Sequence, residues 1–230
     1  MKLVTVTAGV ALFAAADLLA ASSATAQLSL SQLVVELGAG DRTSADVEIL
    51  NTGPERAFVS VDPREIIAPG TNNETPRTDP DPEKLGLLVS PARIILEPGQ
   101  RRLLRIANLA TSDQERVYRV TVKPVTGPLK SEGSGLKVLV GYDMLVLVRP
   151  PKLNAHVSGE RVGNRLALKN DGNVSVELDD GKECDSSPSN CRTLTGGRLY
   201  AGAQKMIQII PNGRISYKMK IGRKVIPIEF

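Results

Sequence analysis

The sequence predicts an all-β protein made of two β-sandwich domains, and three observations support this. The chain has no Trp and few aromatic residues but 20 Gly and 15 Pro, a composition that favours strands and turns. Apolar runs of strand length recur with turn residues between them. Once a predicted export signal is set aside, about 200 residues remain, which suits two domains of about 100 residues each.

Seven strand-like runs fill the first half of the chain. They are Leu28 to Leu37, Thr43 to Leu50, Ala57 to Ile67, Leu87 to Leu96, Arg101 to Leu109, Arg116 to Val125 and Leu136 to Val148. The stretch from Ala68 to Lys84 is rich in Pro, Asp, Asn and Thr, so we expect an exposed loop there. We find no convincing helix. Seven strands in about 120 residues are typical of an immunoglobulin-like sandwich.

The last of these runs, Leu136 to Val148, is the most informative. Successive side chains of a strand point to opposite faces, and here both faces are largely apolar. Such a strand either lies in the middle of a packed sheet or keeps one edge ready for another chain. Because little charge guards it between Val138 and Tyr142, we favour an edge that another chain covers.

Pro150 and Pro151 end this strand, because proline fixes φ and cannot donate a backbone hydrogen bond. We place the domain boundary there, giving domains of residues 27–150 and 151–230. The second domain repeats the strand pattern, and we predict a second, smaller immunoglobulin-like sandwich. Its expected strands are Lys152 to Val157, Arg165 to Lys169, Val174 to Asp179, Met206 to Ile210, Ile215 to Ile221 and Lys224 to Ile228.

The N-terminus has the layout of a secretory signal peptide. Lys2 precedes an apolar stretch from Leu3 to Ala21, and small residues follow up to Ala26. We therefore assign residues 1–26 to the signal and expect an exported protein outside the cytoplasm. No other segment reaches the roughly 18 apolar residues that span a bilayer, so we expect no stable membrane insertion.

The only two cysteines, Cys184 and Cys191, are separated by a loop rich in Ser, Pro and Asn. In an exported chain this spacing predicts a disulfide that closes a hairpin loop. A metal site is disfavoured because the chain has a single histidine, His156. We expect no metal and no cofactor.

The formal net charge of +4 is uneven, with about −1 in the first domain and +5 in the second. A basic surface can bind nucleic acid, but no aromatic interleaving or binding motif accompanies it, so we expect a solvated basic face. Catalysis is disfavoured too, since a Ser, His and Asp triad would have to use His156, which lies in a predicted strand just after the boundary.

Four local patterns resemble the periplasmic chaperones of chaperone/usher pili, which consist of two immunoglobulin-like domains. The first is Ile49-Leu50-Asn51-Thr52-Gly53, and the second runs from Val89-Ser90-Pro91 to Pro98-Gly99-Gln100, with Leu104-Arg105-Ile106 after it. The others are Tyr118-Arg119-Val120 and the long strand that ends Val148-Arg149-Pro150. The resemblance extends over residues 27–230.

The resemblance implies a function by strand donation. A pilus subunit lacks the last strand of its own sandwich, and the chaperone inserts its long strand into the gap until an outer-membrane usher receives the subunit. The alternating residues that would fill the subunit's open core match Leu136, Val138 and Val140, and Tyr142 and Met144 continue the row.

The chain departs from the family at one point. The best-known members hold the subunit's terminal carboxylate with an Arg on the first strand and a Lys on the long strand. Here these positions fall on Gln32 or Leu33 and on Leu145, which are not basic. We expect a replacement among Arg119, which we favour, Lys123, Arg149 and the group Arg101, Arg102 and Arg105.

Two other functional classes remain open at this point. The chain could be a structural or adhesive surface protein whose two sandwiches keep every strand paired internally. It could also be an exported hydrolase, which would need His156 in a pocket beside a serine and a carboxylate.

Overall fold

Two β-sandwiches follow one another along the chain in the computed structural model, which describes residues 28–38, 42–125, 139–185 and 190–230. The predicted export signal, residues 1–26, lies outside these ranges. Nearly all described secondary structure is strand, so the predicted all-β class with two sandwiches is confirmed.

The first sandwich has two facing sheets. One contains strands in the order β1-β3-β8-β6, and the other has the order β2-β10-β9-β4-β5, with β7 also paired to β4. The elements are β1 (Leu28–Leu30), β2 (Val34–Leu37), β3 (Ser44–Asn51), β4 (Ala57–Ile67), β5 (Thr75–Arg77), α1 (Pro82–Leu85), β6 (Leu87–Ser90), β7 (Arg93–Leu96), β8 (Arg101–Asn108), β9 (Arg116–Pro124) and β10 (Tyr142–Val148).

The second sandwich also has two sheets. The smaller one has the order β11-β12-β16, and the larger has the order β14-β13-β17-β18, with β15 paired to β13. The strands are β11 (Val157–Val162), β12 (Arg165–Asn170), β13 (Val176–Cys184), β14 (Cys191–Leu194), β15 (Gly197–Leu199), β16 (Gln204–Gln208), β17 (Arg214–Ile221) and β18 (Lys224–Glu229).

Each sandwich has its own hydrophobic core because its strands alternate buried and exposed residues. In β3, Ala45, Val47 and Ile49 are buried in the first core, and the residues between them are more exposed. In β17, Ile215, Tyr217 and Met219 enter the second core in the same way. A third, small cluster lies between the two sandwiches and is described below.

Two predicted strands are in fact pairs of strands. The run Leu28 to Leu37 divides into β1, which pairs with β3, and β2, which pairs with β10 in the opposite sheet. The run Leu87 to Leu96 divides at the cis Ser90-Pro91 peptide into β6 and β7, which again belong to opposite sheets. Both predictions were wrong because apolar alternation continues while the chain crosses from one sheet to the other.

The predicted loop from Ala68 to Lys84 contains regular structure. β5 extends the sheet beyond β4, and α1 forms a single helical turn, so the expectation of no helix needs this correction. Asp81 caps α1 by accepting a hydrogen bond from the Glu83 N–H at 3.0 Å. Gly86 ends the helix in the left-handed conformation at φ 83°, which glycine adopts without strain.

The remaining corrections concern strand bounds. The predicted strand Leu136 to Val148 appears as β10 from Tyr142 onward, and residues 126–138 lie outside the described ranges. The first strand of the second sandwich is Val157–Val162 and not Lys152 to Val157. The residues between Pro151 and His156 form a linker between the two sandwiches. Hydrogen bonds at Asn154 tie this linker to a turn of the second sandwich.

The two sandwiches share one local device, which we call the asparagine clamp. The buried Asn51 side chain donates to the Glu55 and Leu96 carbonyls at 2.7 and 3.0 Å and accepts from the Gly53 N–H at 3.0 Å. Asn170 does the same in the second sandwich, with bonds of 2.8 to 2.9 Å to Val174, Leu199 and Gly172. Each side chain thus joins the end of one strand to the end of another.

None of the described helices is both long and apolar enough to cross a membrane.

Candidate partner-binding edge

Strand β10 has one edge that is only half covered. On one side β9 pairs with it from Tyr142 to Val148. On the other side β2 runs parallel to it and pairs only from Leu145 onward, where the Leu145 N–H donates to the Leu33 carbonyl at 2.9 Å. Within the described ranges, no strand lies on that side of Tyr142 to Met144. The backbone there is therefore available for a further strand.

The predicted row of partner-binding residues is divided by the structure. Leu136 and Val138 lie outside the described residues. Val140 precedes β10 and is 42% exposed, which is high for a valine with apolar neighbours in sequence. Tyr142 is partly buried against the first core, and its hydroxyl donates to the Leu28 carbonyl at 2.7 Å.

Met144 has to be removed from the row. Its side chain is fully buried in the first core, together with Val146 and Val148. Alternation correctly put all three on one face of the strand, but over β10 that face packs inside the protein's own sandwich. The Met144 side chain has no surface to offer a partner.

The opposite face of β10 contributes to the joint between the sandwiches. Leu145 and Leu147 pack with Val117 of β9, and Ile66 of β4 and Tyr200 of the second sandwich cover them. Next to this cluster, at the start of the edge strand, Leu33 and Val34 are 50% and 45% exposed. Of the positions at which the resembling family carries Arg and Lys, Leu33 is exposed, Leu145 is buried, and the alternative Gln32 is uncharged.

Two arginines continue the row from Leu145 across the sheet. Arg119 is its cross-strand neighbour on β9, and Arg64 is the neighbour of Arg119 on β4. The Arg64 guanidinium donates to Asp143 at 2.8 Å and to the Thr121 hydroxyl at 2.6 Å. Arg119 approaches the same carboxylate at 4.0 Å. Two guanidinium groups thus share one carboxylate, which leaves a net positive charge on this surface.

Sequence reasoning identified Arg119 but missed Arg64. Arg64 lies 55 positions earlier in the chain, after Pro63, and only the register of β4 against β9 brings the two side chains together. Lys123, the second predicted anchor, lies on the same face farther from Leu145 and pairs with Asp62 at 3.6 Å.

Arg149 is not available to a partner, which corrects another prediction. Its side chain is 2% exposed and forms an ion pair with Glu115, which is equally buried. It also pairs with Glu36 at 3.1 Å and donates to the Ser175 carbonyl at 2.9 Å. Burial raises the pKa of Glu115, although Arg149 and the Ser175 hydrogen bonds act in the opposite direction. Arg149 therefore connects the two sandwiches.

The other predicted groups lie elsewhere. Arg101 and Arg105 pair with Glu48 and Asp46 on the opposite sheet of the first sandwich. Near the exposed His156, the Ser158 hydroxyl donates to Asp171 at 2.5 Å, and Lys169 pairs with the same carboxylate at 2.6 Å. Because the serine proton points to the carboxylate and not to the imidazole, this group does not have the arrangement of a hydrolase triad.

The predicted disulfide between Cys184 and Cys191 is present and closes the hairpin of β13 and β14. Within the described part of the chain, no group of three or more His, Cys, Asp or Glu side chains is placed to hold a metal ion.

These features define a class of protein: two immunoglobulin-like sandwiches that meet at a small apolar joint beside a half-covered strand. Residues 27–154 match the family model for the pili and flagellar-assembly chaperone, PapD N-terminal domain. Since this match extends over more than half of the sequence, the chain belongs to that family of pilus chaperones.

Known relatives agree with this assignment. A CS1 fimbrial protein of Escherichia coli is 28% identical over 182 residues, which are 73% of this chain and 75% of the relative. A CFA/I fimbrial protein, also of Escherichia coli, is 25% identical over 182 residues, which are 74% of this chain and 75% of the relative.

Solved structures show the same fold. The class 5 fimbriae chaperone CfaA superposes with a TM-score of 0.68 at 23% identity, over 88% of this chain and 97% of CfaA. The SafB chaperone, solved in complex with the Salmonella enterica SafA pilin, has a TM-score of 0.61 at 18% identity, over 90% of this chain and 96% of that one.

Proposed function

We propose that the protein is a periplasmic chaperone that binds pilus or fimbrial subunits by strand donation and delivers them to an outer-membrane usher. The observation that carries the proposal is the half-covered edge of β10 between Tyr142 and Met144. Membership of the pilus chaperone family supports it. We retain residues 27–150 and 151–230 as the proposed domains and residues 1–26 as the proposed export signal.

Strand donation follows from the chemistry of this edge. An incoming strand would pair with the backbone N–H and C=O groups of this edge, and such pairing attaches a strand without regard to sequence. It would displace the Arg119 side chain, which donates to the Asp143 carbonyl at 3.4 Å. The residues Leu136, Val138 and Val140 would fill the partner's open core. Burying three such side chains contributes roughly 5 to 9 kcal/mol before the costs of association. The apolar row is thus the main source of affinity.

We assign the partner's terminal carboxylate to Arg64 and Arg119. Both guanidinium groups lie on the same face of the sheet, Arg119 one strand and Arg64 two strands away from Leu145, which pairs with the exposed Val34. A second carboxylate would compensate the charge that Asp143 leaves unbalanced. Charge-assisted hydrogen bonds of this kind contribute about 1.5 to 3 kcal/mol each.

A second surface is suited to the usher. Phe58 of β4 lies opposite Ile95 of β7, and the Val125 N–H donates to the Phe58 carbonyl at 2.7 Å, so the three residues are neighbours. All three side chains are exposed, although they are large and apolar. They lie at the end of the sheet away from the joint between the sandwiches, and an exposed apolar patch of this kind is typical of a protein-binding surface.

The periplasm is the proposed location. The disulfide of the second sandwich is stable in an oxidising compartment, and the predicted export signal would bring the chain there.

The first experiment is a pull-down of the tagged protein from the periplasm of its own host, beside the Val140→Asp variant. The parent should capture a small β-rich exported protein in one-to-one amount. Burying a charged side chain in the core of that protein is costly, so the Val140→Asp variant should not capture it. Val162→Asp, a matched change at an exposed valine of β11, is the control and should capture normally. Normal capture by Val140→Asp would refute strand donation, and a parent that captures nothing would favour the structural or adhesive protein.

The carboxylate anchor has its own test with the captured subunit. Arg64→Ala and Arg119→Ala should each weaken binding by roughly tenfold or more, the factor that corresponds to one charge-assisted hydrogen bond. Arg102→Ala on the opposite sheet should bind like the parent. Unchanged affinity in both variants would place the anchor elsewhere.

A further inference from the structure

The turn between β12 and β13 holds the two sandwiches together, and Asn173 is at its centre. The Asn173 backbone makes two bonds of 2.8 Å in opposite directions. Its N–H donates to the Asn154 carbonyl in the linker, and its carbonyl accepts from the Glu115 N–H of the first sandwich. The backbone alone therefore joins the first sandwich, the linker and the second sandwich.

The Asn173 side chain also binds both the linker and the first sandwich. Its Oδ1 accepts from the Asn154 N–H at 2.8 Å. Its Nδ2 donates to the Asp113 carbonyl of the first sandwich at 2.8 Å and to the Lys152 carbonyl of the linker at 2.9 Å. One residue thus makes five hydrogen bonds at the joint. Only a primary amide supplies an acceptor and two donors on so short a side chain.

Gly172 and Ser175, on either side of Asn173, keep this turn close to the linker and to the first sandwich. A Cβ at Gly172 would lie 2.3 Å from the Asn154 carbonyl, so the turn can approach the linker only with glycine there. Two residues beyond Asn173, the Ser175 N–H donates to Glu115 at 3.1 Å and its carbonyl accepts from the buried Arg149. Glu115 is therefore bound on both its backbone and its side chain.

The angle between the sandwiches depends on these bonds. The apolar cluster at the joint is small, and domains joined through a small contact normally move relative to one another. An ion pair such as that of Arg149 with Glu115 restricts this motion, but it acts at one point. Asn173 adds contacts on Asp113, two positions before Glu115, and on the linker, which together oppose rotation about that point.

We infer that Asn173 is a positioning residue, which sets the angle between the sandwiches and so fixes where the second sandwich lies relative to Leu145 and Arg119. That a partner binds at this place rests on the proposed function, whereas the effect of Asn173 on the angle does not. A partner that contacts both sandwiches would find them already in place and would lose less entropy on binding.

The test measures the angle directly in the free protein. Spin labels attached through cysteines at the exposed strand residues Arg102 and Arg165 report the distance between the sandwiches, while the native disulfide stays oxidised. Asn173→Ala and Asn173→Asp both remove the two side-chain donor bonds, and each should broaden the distance distribution by about twofold or more. Asn164→Ala, in the turn between β11 and β12, is the control and should leave it unchanged.

A purely local role gives a different result. If Asn173 only stabilised its own turn, the variants would melt at a lower temperature with a distance distribution as narrow as that of the parent, and the inference would be refuted. If the distribution broadens, recovery of the subunit captured by the parent should fall severalfold in both variants. A parent that captures no subunit would refute the proposed function and leave the distance result standing.

Discussion

At the scale of single residues, Glu65 shows how the first sandwich holds a buried charge. Arg116 donates to its carboxylate at 2.8 Å, Arg77 of β5 donates to it at 2.9 Å, and Arg116 also donates to the Leu85 carbonyl. Burial raises the pKa of Glu65, but the hydrogen bonds from Arg116 and Arg77 outweigh it and lower the pKa below its ordinary value of 4.5. Glu65 therefore joins β4, β9 and β5.

This arrangement predicts an acid-sensitive contribution to stability. Because the folded pKa is the lower one, the stabilisation is complete above pH 4.5 and is lost as the pH falls through the folded value. Glu65→Gln should lower the free energy of unfolding by about 3 kcal/mol at pH 7 and make the acid decline shallower. Urea unfolding between pH 3 and pH 7, about the range over which carboxylates titrate, measures both effects.

Glu229→Gln, an exposed change in the second sandwich, is the control for this series and should follow the parent at every pH. An unchanged acid decline in Glu65→Gln would show that Glu65 does not carry this part of the pH dependence.

Residue types could be predicted from the sequence better than their surroundings. Alternation identified Val140 and Met144 as members of one row, but it contains no information on whether a partner or the protein's own core covers that row. Arg149 was visible as a basic residue at the end of the long strand, yet its burial depends on Glu115 and Ser175. These contacts arise only when distant segments meet.

At the scale of elements, the hairpin of β13 and β14 carries the disulfide that the sequence predicted. Cys184 and Cys191 are separated by seven positions, so the crosslink closes a short loop. In the chain-entropy view, such a loop contributes about 2 kcal/mol.

Replacing both cysteines by serine should therefore lower the stability of the second sandwich by about 2 kcal/mol, without affecting the first. Thermal melting with and without reductant measures this, and reductant should shift the parent to the position of the variant. A loss in the first sandwich would contradict the assignment of the disulfide to a local clamp.

The elements themselves were predictable where turn residues mark their ends. β4 has the predicted bounds, Ala57 to Ile67, because Gly and Pro precede it and the Pro-rich loop follows. The joined strands β1 and β2 were not separable, because Leu28 and Val35 are both buried although they belong to opposite sheets. Apolar character reports burial and does not report which sheet provides it.

At the scale of the whole molecule, the joint between the sandwiches depends on the buried pair of Arg149 and Glu115. Arg149→Ala leaves a buried carboxylate without its main cation and should cost about 3 to 5 kcal/mol. Glu115→Gln in the same chain removes that uncompensated charge, so the double variant should lose at least about 1 kcal/mol less than the sum of the single changes. Urea unfolding of the parent, the two single variants and the double variant gives the coupling energy between the two side chains.

The pH response of Arg149→Ala provides an independent check. Without the cation, the pKa of Glu115, which burial already raises, should lie still higher in the folded state. The folded protein then binds a proton more readily than the unfolded chain. The variant should therefore gain stability as the pH falls from neutral to about 5, which is still above the ordinary pKa of a carboxyl group. If the losses of stability in the two single variants simply add in the double variant, and if the stability of Arg149→Ala does not change with pH, then the two side chains do not interact.

A division near Pro150 and an uneven charge could be read from the sequence, but the way in which the halves meet could not. Ile66, Val117, Leu147 and Tyr200 are spread over more than half of the chain before they come together at the joint. Asn173 lies between two predicted strands, Arg165 to Lys169 and Val174 to Asp179, where nothing in the sequence indicates a contact with the first sandwich. Contacts of this kind depend on the relative placement of two finished sandwiches.

The asparagine clamps have a consequence for the order in which the chain acquires its structure. The described partners of the Asn51 side chain lie between positions 53 and 96, and those of the Asn170 side chain lie between 172 and 199. A chain that emerges from its N-terminus can therefore close the first clamp before any of the second sandwich has appeared. The second clamp likewise needs no residue from the first sandwich. Each sandwich can therefore form its clamp as soon as its own residues have emerged, the first sandwich before the second.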